Sequence, residues 1–415
     1  MKEAEKIYSS LEEACSEGNF TSVEEFIQEL ENLTKEHDSA NEIYSKAIIR
    51  ALETFKGRFS STKVKKFITN VEDLIRKNPN DENLRSNYAK ALRSSLIVMS
   101  TKGQPNAMKE IITYLEDLAT SNPENIIIHE ELSIASHEIA NYWKSRGDFK
   151  ALRDRTQKFR ELAGKFPDNE KIKLNLSKSL VLEIDSSNKR DIAKIDTILL
   201  EIQEISESMP RNVGLQLEWV HAYRTAMDRS YEKPEDAKRW LDSMKKITSD
   251  KKNESFTVEL AKGYLNTIAN LGQQNREELS KHLDELEMLT DITKDNLELQ
   301  TIYAQSLITS LQIIGISNMK ETNEIMDEIK ELATNFSTNN VILKIYVESL
   351  IGVIGLLVQE QKAEEIIPLL KQFEALDEKY PKDQFIQQTY DQLMDTLKMI
   401  GFKKAKKKPR KMEYM

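Results

Sequence analysis

Residues 162–169 read LAGKFPDN, and the same spelling, L-x-x-x-x-P-x-N, returns along the chain. It stands at 118 as LATSNPEN and, with one letter changed, at 74 as LIRKNPND and at 205 as ISESMPRN. Looser copies are LTDITKDN at 289, LATNFSTN at 332 and LDEKYPKD at 376. Aligned on its first apolar position, the series runs Leu33, Leu74, Leu118, Leu162, Ile205, Ile247, Leu289, Leu332 and Leu376. Successive gaps are 41, 44, 44, 43, 42, 42, 43 and 44 residues. A spacing this steady is the mark of one supersecondary unit written many times.

The residues after each loop identify the unit. Leu84, Tyr88, Leu92 and Leu96 stand four apart, as do Ile172, Leu176, Leu180 and Ile184. Leu299, Tyr303, Leu307 and Leu311 repeat the step, and so do Ile342, Tyr346, Leu350 and Ile354. Steps of four keep side chains on one helical stripe, so each loop opens an amphipathic helix of about 18 residues. A second, shorter helix leads into the next loop, as over Ala107–Ala119 after Pro105 and Ala237–Ile247 after Pro234. Proline suits a helix start because its missing N–H would be unpaired there. Neither stripe can be buried alone, so neighbours must stack. The expectation is all-α: one α-solenoid over residues 1–401, built of nine helix–turn–helix repeats and a closing helix near 384–401.

Counted from the proline, the spacing resembles the tetratricopeptide (TPR) motif. That motif has a large apolar residue nine positions on, a small one at ten and a large one at thirteen. Pro79 is followed there by Tyr88, Ala89 and Leu92, and Pro167 by Leu176, Ser177 and Leu180. Pro210 is followed by Trp219, Val220 and Tyr223, whose middle residue is not small. Val71, Leu115, Phe159, Ile202 and Phe373 fit the large residue expected eight before the proline column. The departure is length, about 43 residues here against 34 in that family. HEAT and armadillo units have the right length but carry their prolines and charges elsewhere. The resemblance implies a scaffold that holds a peptide or partner protein in a concave groove. It places Lys90, Arg93, His137, Lys178, His221 and Arg224 at groove-facing positions, and so implies a mildly basic groove for an acidic or C-terminal peptide. The Lys/Asn pattern of the chaperone-tail carboxylate clamp is absent.

The tripeptide Arg146-Gly147-Asp148 spells the integrin-binding RGD, but its register gives it another meaning. Gly147 lies 20 residues before Pro167, Gly103 lies 20 before Pro123, and Gly18 lies 20 before Asp38 in the same column. Gly57, Gly272 and Gly315 lie 22 before theirs. These glycines mark the turn inside each hairpin, where Gly can take the left-handed conformation and Asp148 can cap the second helix.

Catalytic signals are missing from the sequence. There is no Walker loop, GxGxxG, GxSxG or cysteine cluster. His129 and His137 lie eight apart, roughly 12 Å along a helix, too far to share a metal. Both are expected on the surface or in the groove, and no cofactor or metal is expected. Cys15 is the only cysteine, which points to a reducing compartment and a packed thiol. No signal-peptide core stands at the N-terminus, and the most apolar run, Leu350–Val358, is half a membrane span. A cytoplasmic, non-catalytic protein is expected. Pro368, inside an apparent second helix, is expected to kink it or to mark a late start.

Net charge is −9 overall. Residues 402–415 hold seven Lys/Arg against one Glu, which leaves −15 on residues 1–401. An acidic body is poorly suited to tracking a phosphate backbone. The basic tail, Lys403, Lys404, Lys406, Lys407, Lys408, Arg410 and Lys411, is therefore the place for a second reading. With Pro409 and no apolar period it is expected to be disordered, and it could tether an adaptor to nucleic acid or anionic membrane.

Overall fold

The computed structural model describes residues 2–188, 191–229, 233–251, 253–271 and 275–402. Among these the secondary structure is helical throughout: nineteen α-helices, one 3-10 turn and no strand. The fold is an all-α solenoid of hairpins, and the chain divides into two compact units, Met1–Ala222 and Tyr223–Met415.

In the first unit the odd helices are α1 (Lys2–Ser16), α3 (Asn41–Thr54), α5 (Glu82–Thr101), α7 (Ile126–Ser145) and α9 (Glu170–Asp185). The even ones are α2 (Phe20–Glu36), α4 (Ser61–Lys77), α6 (Pro105–Ser121), α8 (Phe149–Lys165) and α10 (Ile192–Glu207). Helix α11 (Val213–Met227) contains the division between units. The second unit holds odd helices α13 (Glu254–Asn270), α15 (Leu297–Ile314), α17 (Asn340–Gln359) and α19 (Gln384–Met399). Its even helices are α12 (Pro234–Thr248), α14 (Arg276–Ile292), α16 (Met319–Asn335) and α18 (Ala363–Lys379).

Within each unit, consecutive odd helices pack directly on one another, and an even helix such as α6 or α16 rests between two of them. Odd helices thus form the tightly spaced inner layer and even helices the wider outer one. All sixteen residues of the four expected stripes are buried. So are Val71, Leu115, Phe159, Ile202 and Phe373 of the outer layer. Ala89 and Ser177, the small residues of the motif, have no exposed surface, which lets neighbouring helices come close.

The recurrent asparagine has two jobs. Oδ1 of Asn169 caps α9 by accepting from the Ile172 N–H (2.9 Å), while its Nδ2 donates to Glu130 on α7 (3.0 Å). Asn125 does the same for Ile128 and Ser86, and Asn339 for Ile342 and Thr301. An amide can cap one helix and donate to the preceding repeat at once. The Asp81 and Asp383 carboxylates also cap, but have no N–H to donate.

The turns follow the glycine register in part. Gly147 sits at φ +72°, and Asp148 Oδ1 accepts from the Ala151 N–H at 3.0 Å, so the RGD is a helix stop followed by a helix cap. Gly18, Gly103 and Gly315 also have positive φ, whereas Gly57 does not and Gly272 lies outside the described residues. In the α17–α18 turn the left-handed residue is Gln361.

Helix α18 starts at Ala363 and runs through Pro368, so that proline marks no late start. The missing N–H falls in the second turn, just past the four N-terminal donors that have no intrahelical partner, so the helix forgoes one bond, to the Glu364 carbonyl. Helix α17, which carries the Leu350–Val358 run, is long and apolar enough to cross a membrane, but 56% of its apolar window is buried inside the protein. It is the core helix of the second unit. Cys15 is buried in α1 and burial pushes its thiol pKa up.

Candidate partner-binding surface

The uncovered side of the inner layer in the first unit is assembled from one stripe per odd helix. Helix α5 brings Lys90, Arg93 and Ile97, α7 brings Ile134 and His137, and α9 brings Leu174, Lys178 and Leu182, all half-buried. Leu217 and His221 continue the stripe on α11, also half-buried. Their spacing of three to four residues keeps them on one side of each helix. Partly accessible apolar side chains therefore alternate with cations, the composition of a surface that can hold an amphipathic segment.

The cations differ in how they are held. Arg93 Nε donates to Glu131 on α7 and its Nη2 to Glu53 on α3, both at 2.8 Å. Glu131 is only 6% exposed. Arg93 is thus a bolt across three successive odd helices, its charge met from both sides. Arg224 belongs to the second unit, where it donates to Glu259 at 2.7 Å and lies 3.7 Å from Asp228. His221 Nδ1 lies 3.5 Å from Glu218. Lys90 and Lys178 have no ion-pair partner among the described residues. The six positions named from the sequence therefore separate: Lys90, His137, Lys178 and His221 stay on the first unit's stripe, Arg93 is tied into the fold, and Arg224 sits in the other unit. No feature of a single sequence sets Arg93 apart from Lys90, because Glu131, Glu53 and the Glu259 that holds Arg224 lie some 35–40 residues from the arginines they meet.

His137 faces Ser179, with Nδ1 to Oγ at 3.2 Å. Burial, helped by the nearby Lys178 charge, pushes its pKa down to about 4, against a smaller pull upward from Glu218. It is neutral at pH 7. Because its folded pKa lies below the ordinary 6.5, the unfolded chain takes up a proton first as pH falls. The resulting stability is complete above pH 6.5 and is lost as pH drops through 6.5 towards 4, about 3 kcal/mol in all. His129 and His282 are lowered by burial in the same sense, whereas burial raises Glu328 and gives the opposite slope. The difference between the parent chain and His137→Gln isolates this one residue. Urea midpoints measured from pH 7.5 to 4.5 should converge for the two proteins as pH falls; parallel curves would contradict a neutral, buried His137.

His129 lies elsewhere than expected. It is 6% exposed and its ring packs at a tilt against Phe166, with centroids 4.4 Å apart, so it is a core residue and faces no groove. Among the described residues no three of His, Cys, Asp and Glu come together as a metal site.

No family model matches this chain, and no curated protein matches it. Among solved structures, an engineered protein is similar over 95% of both chains, with 13% identity and a TM-score of 0.49. The structure of Naa15/Naa10 bound to HypK-THB matches over 95% of this chain and 80% of that one, with 9% identity and a TM-score of 0.15. The helical-repeat fold is accordingly read from this chain's own hairpins.

The outer layer carries a different kind of order. In the first unit its helices alternate in sign: α2, α6 and α10 are net acidic, α4 and α8 net basic. Ion pairs join each step: Lys66–Glu31 at 3.1 Å, Lys65–Glu110 at 2.9 Å, Arg155–Glu116 at 2.6 Å and Arg160–Glu201 at 2.8 Å. In the second unit Lys245–Glu285 joins α12 to α14 at 2.6 Å, but then the alternation stops. Helices α14, α16 and α18 are all net acidic. A cavity of about 360 Å³ lies among α14, α15 and α16, lined by Glu287, Asp291, Glu328 and Glu331 beside Tyr303. The Tyr303 hydroxyl donates to Glu328 at 2.8 Å. The tail cations Lys403 to Lys411 lie outside the described residues.

Proposed function

We propose that this chain is a TPR-like, non-catalytic scaffold of the cytoplasm, and that the inner layer of residues 1–222 holds a partner protein through an apolar, acid-bearing segment. The observation that supports this most is the first unit's stripe. Ile97, Ile134, Leu174, Leu182 and Leu217 offer half-buried apolar contact, and Lys90 and Lys178 stand beside them with no counter-ion among the described residues. A bound segment that supplies apolar anchors and two carboxylates would bury the former and neutralise the latter. Electrostatic matching of this kind sets orientation and association rate more than affinity.

The test is partner capture by the full chain, by Lys90→Glu/Lys178→Glu, and by residues 1–401. Neither lysine is tied into the fold, so the double variant should keep its melting temperature while capture falls at least about tenfold. Capture that survives the double variant but disappears in residues 1–401 would replace this reading with an adaptor tethered through its basic tail to nucleic acid or anionic membrane. Nuclease treatment and anionic vesicles would then tell those two apart.

A further inference from the structure

The RGD leaves one residue without a task. Gly147 makes the turn and Asp148 caps α8, whereas the Arg146 guanidinium lies over the Tyr142 ring, 5.5 Å from its centroid. Among the described residues it has no hydrogen-bond or ion-pair partner. It reaches the turn of the preceding hairpin, where a Cβ on Gly103 would come within 2.9 Å of Arg146 Nη2. The guanidinium fits there because residue 103, at φ +64°, carries no side chain. Lys102 is the equivalent of Arg146 one repeat, 44 residues, earlier. Its Nζ donates to the Gly57 carbonyl at 3.2 Å and meets no carboxylate among the described residues.

Between these two turns is an open cavity of about 500 Å³. Ser100, Thr101 and Lys102 line it from the end of α5, and Asn141, Ser145 and Arg146 from the end of α7. No carboxylate among the described residues lines it, in a chain whose net charge is −9. Cations at helix C-termini ordinarily serve the last carbonyls. Here backbone N–H groups already meet them. Those of Lys102, Gly103 and Gln104 donate to Val98, Ser100 and Met99, and those of Arg146, Gly147 and Asp148 to Tyr142, Lys144 and Trp143. The Ser100 hydroxyl and the Asn141 amide also have no protein partner among the described residues. Two charges and two neutral donors therefore line one space with no anion to meet them. That space continues the first unit's stripe. Asn141 and Ser145 extend the α7 run of Ile134 and His137, and Thr101 follows Ile97 by one turn on α5.

We propose that this cavity binds the phosphate of a phosphorylated side chain, presented by the segment that the stripe holds. Two cations without counter-ions suit a dianion. A phosphorylated serine brings a charge of about −1.5 to −2 and three strong acceptor oxygens, whereas a carboxylate brings one charge and two oxygens. The planar fork of Arg146 can hold two phosphate oxygens at once and leave the third to Lys102 and Asn141. The cavity is also larger than a bare phosphate, which leaves room for the side chain that carries it. The presenting segment rests on the inner-layer reading; the anion chemistry does not.

Modification of arginines by phenylglyoxal, read residue by residue with mass spectrometry on the full chain, tests this. The probes are inorganic phosphate and N-acetyl-O-phosphoserine amide, and sodium chloride at matched ionic strength controls for screening. At about 20 mM either probe should slow modification of Arg146 about fivefold, as for a ligand of millimolar Kd. The exposed Arg153 and Arg211 should react as before. In Lys102→Gln/Asn141→Leu, half-protection of Arg146 should need about tenfold more probe, the worth of a lost hydrogen bond to a charged group. Unchanged helicity and melting temperature will show that the variant is folded. Protection matched by sodium chloride, shared by all arginines or unaltered in the variant would overturn the proposal. So would protection by inorganic phosphate alone, which would mark a site for the free ion. Arg146 left unprotected, with partner capture still sensitive to Lys90→Glu/Lys178→Glu, would refute this inference and spare the inner-layer reading. The converse result would refute that reading and leave the phosphate site standing.

Discussion

Replacing Arg93 by alanine is expected to cost about 3–5 kcal/mol of unfolding free energy, the range for stranding a buried charge. The size is set by the groups that remain behind. Glu131 is 6% exposed and would lose its guanidinium partner, while Glu53 on α3 would lose the link that ties it to α5. Removing both members of the inner pair, as Arg93→Met/Glu131→Leu, should recover most of the loss, because apolar side chains of similar length need no counter-charge there. Urea unfolding of the parent, both single variants and the double completes the cycle. The groove reading taken from sequence makes the opposite claim, that Arg93 binds a partner. Stability changed by less than about 1 kcal/mol, together with abolished partner capture, would return Arg93 to the binding surface.

The fold is largely legible in the sequence because the signals that specify it are local or periodic. Nine apolar positions at a constant spacing count the hairpins, and steps of four such as Leu84–Tyr88–Leu92–Leu96 select the buried face. Where chemistry depends on a residue a full repeat away, that legibility ends. Arg93 and Lys90 are equivalent letters on one stripe until Glu53 and Glu131 are placed beside the first. The asparagine of P-x-N is recognisable as a cap, but its second bond, to Ser86, Glu130 or Thr301 of the preceding repeat, needs the stacked helices to appear. His129 is misplaced by its sequence for the same reason, since the ring that covers it, Phe166, comes from the next loop. Gly57 shares the spacing of Gly315 but not its left-handed backbone, because spacing places a turn without dictating how the turn is made.

Phe159→Ala tests whether the repeats act as one array, the expectation for residues 1–401. Phe159 is 1% exposed in α8, and its truncation should cost about 3–5 kcal/mol. Amide hydrogen exchange resolves where that loss is felt. Slowly exchanging amides of α5, α7 and α9 should speed up by about two to nearly four orders of magnitude, since each 1.4 kcal/mol is tenfold. The informative helices are α13, α15 and α17. The division between units falls at Ala222 and Tyr223, inside α11, where peptide hydrogen bonds run on without a linker. Domain boundaries ordinarily fall in exposed segments that few contacts cross. In a repeat array, stability is a sum of repeat and nearest-neighbour contributions. Part of the loss should therefore reach α13 and fade towards α17. Unchanged exchange throughout α13–α17 in the variant would mean that the two units unfold separately, and the single-array expectation would have to be given up for two domains that share a helix.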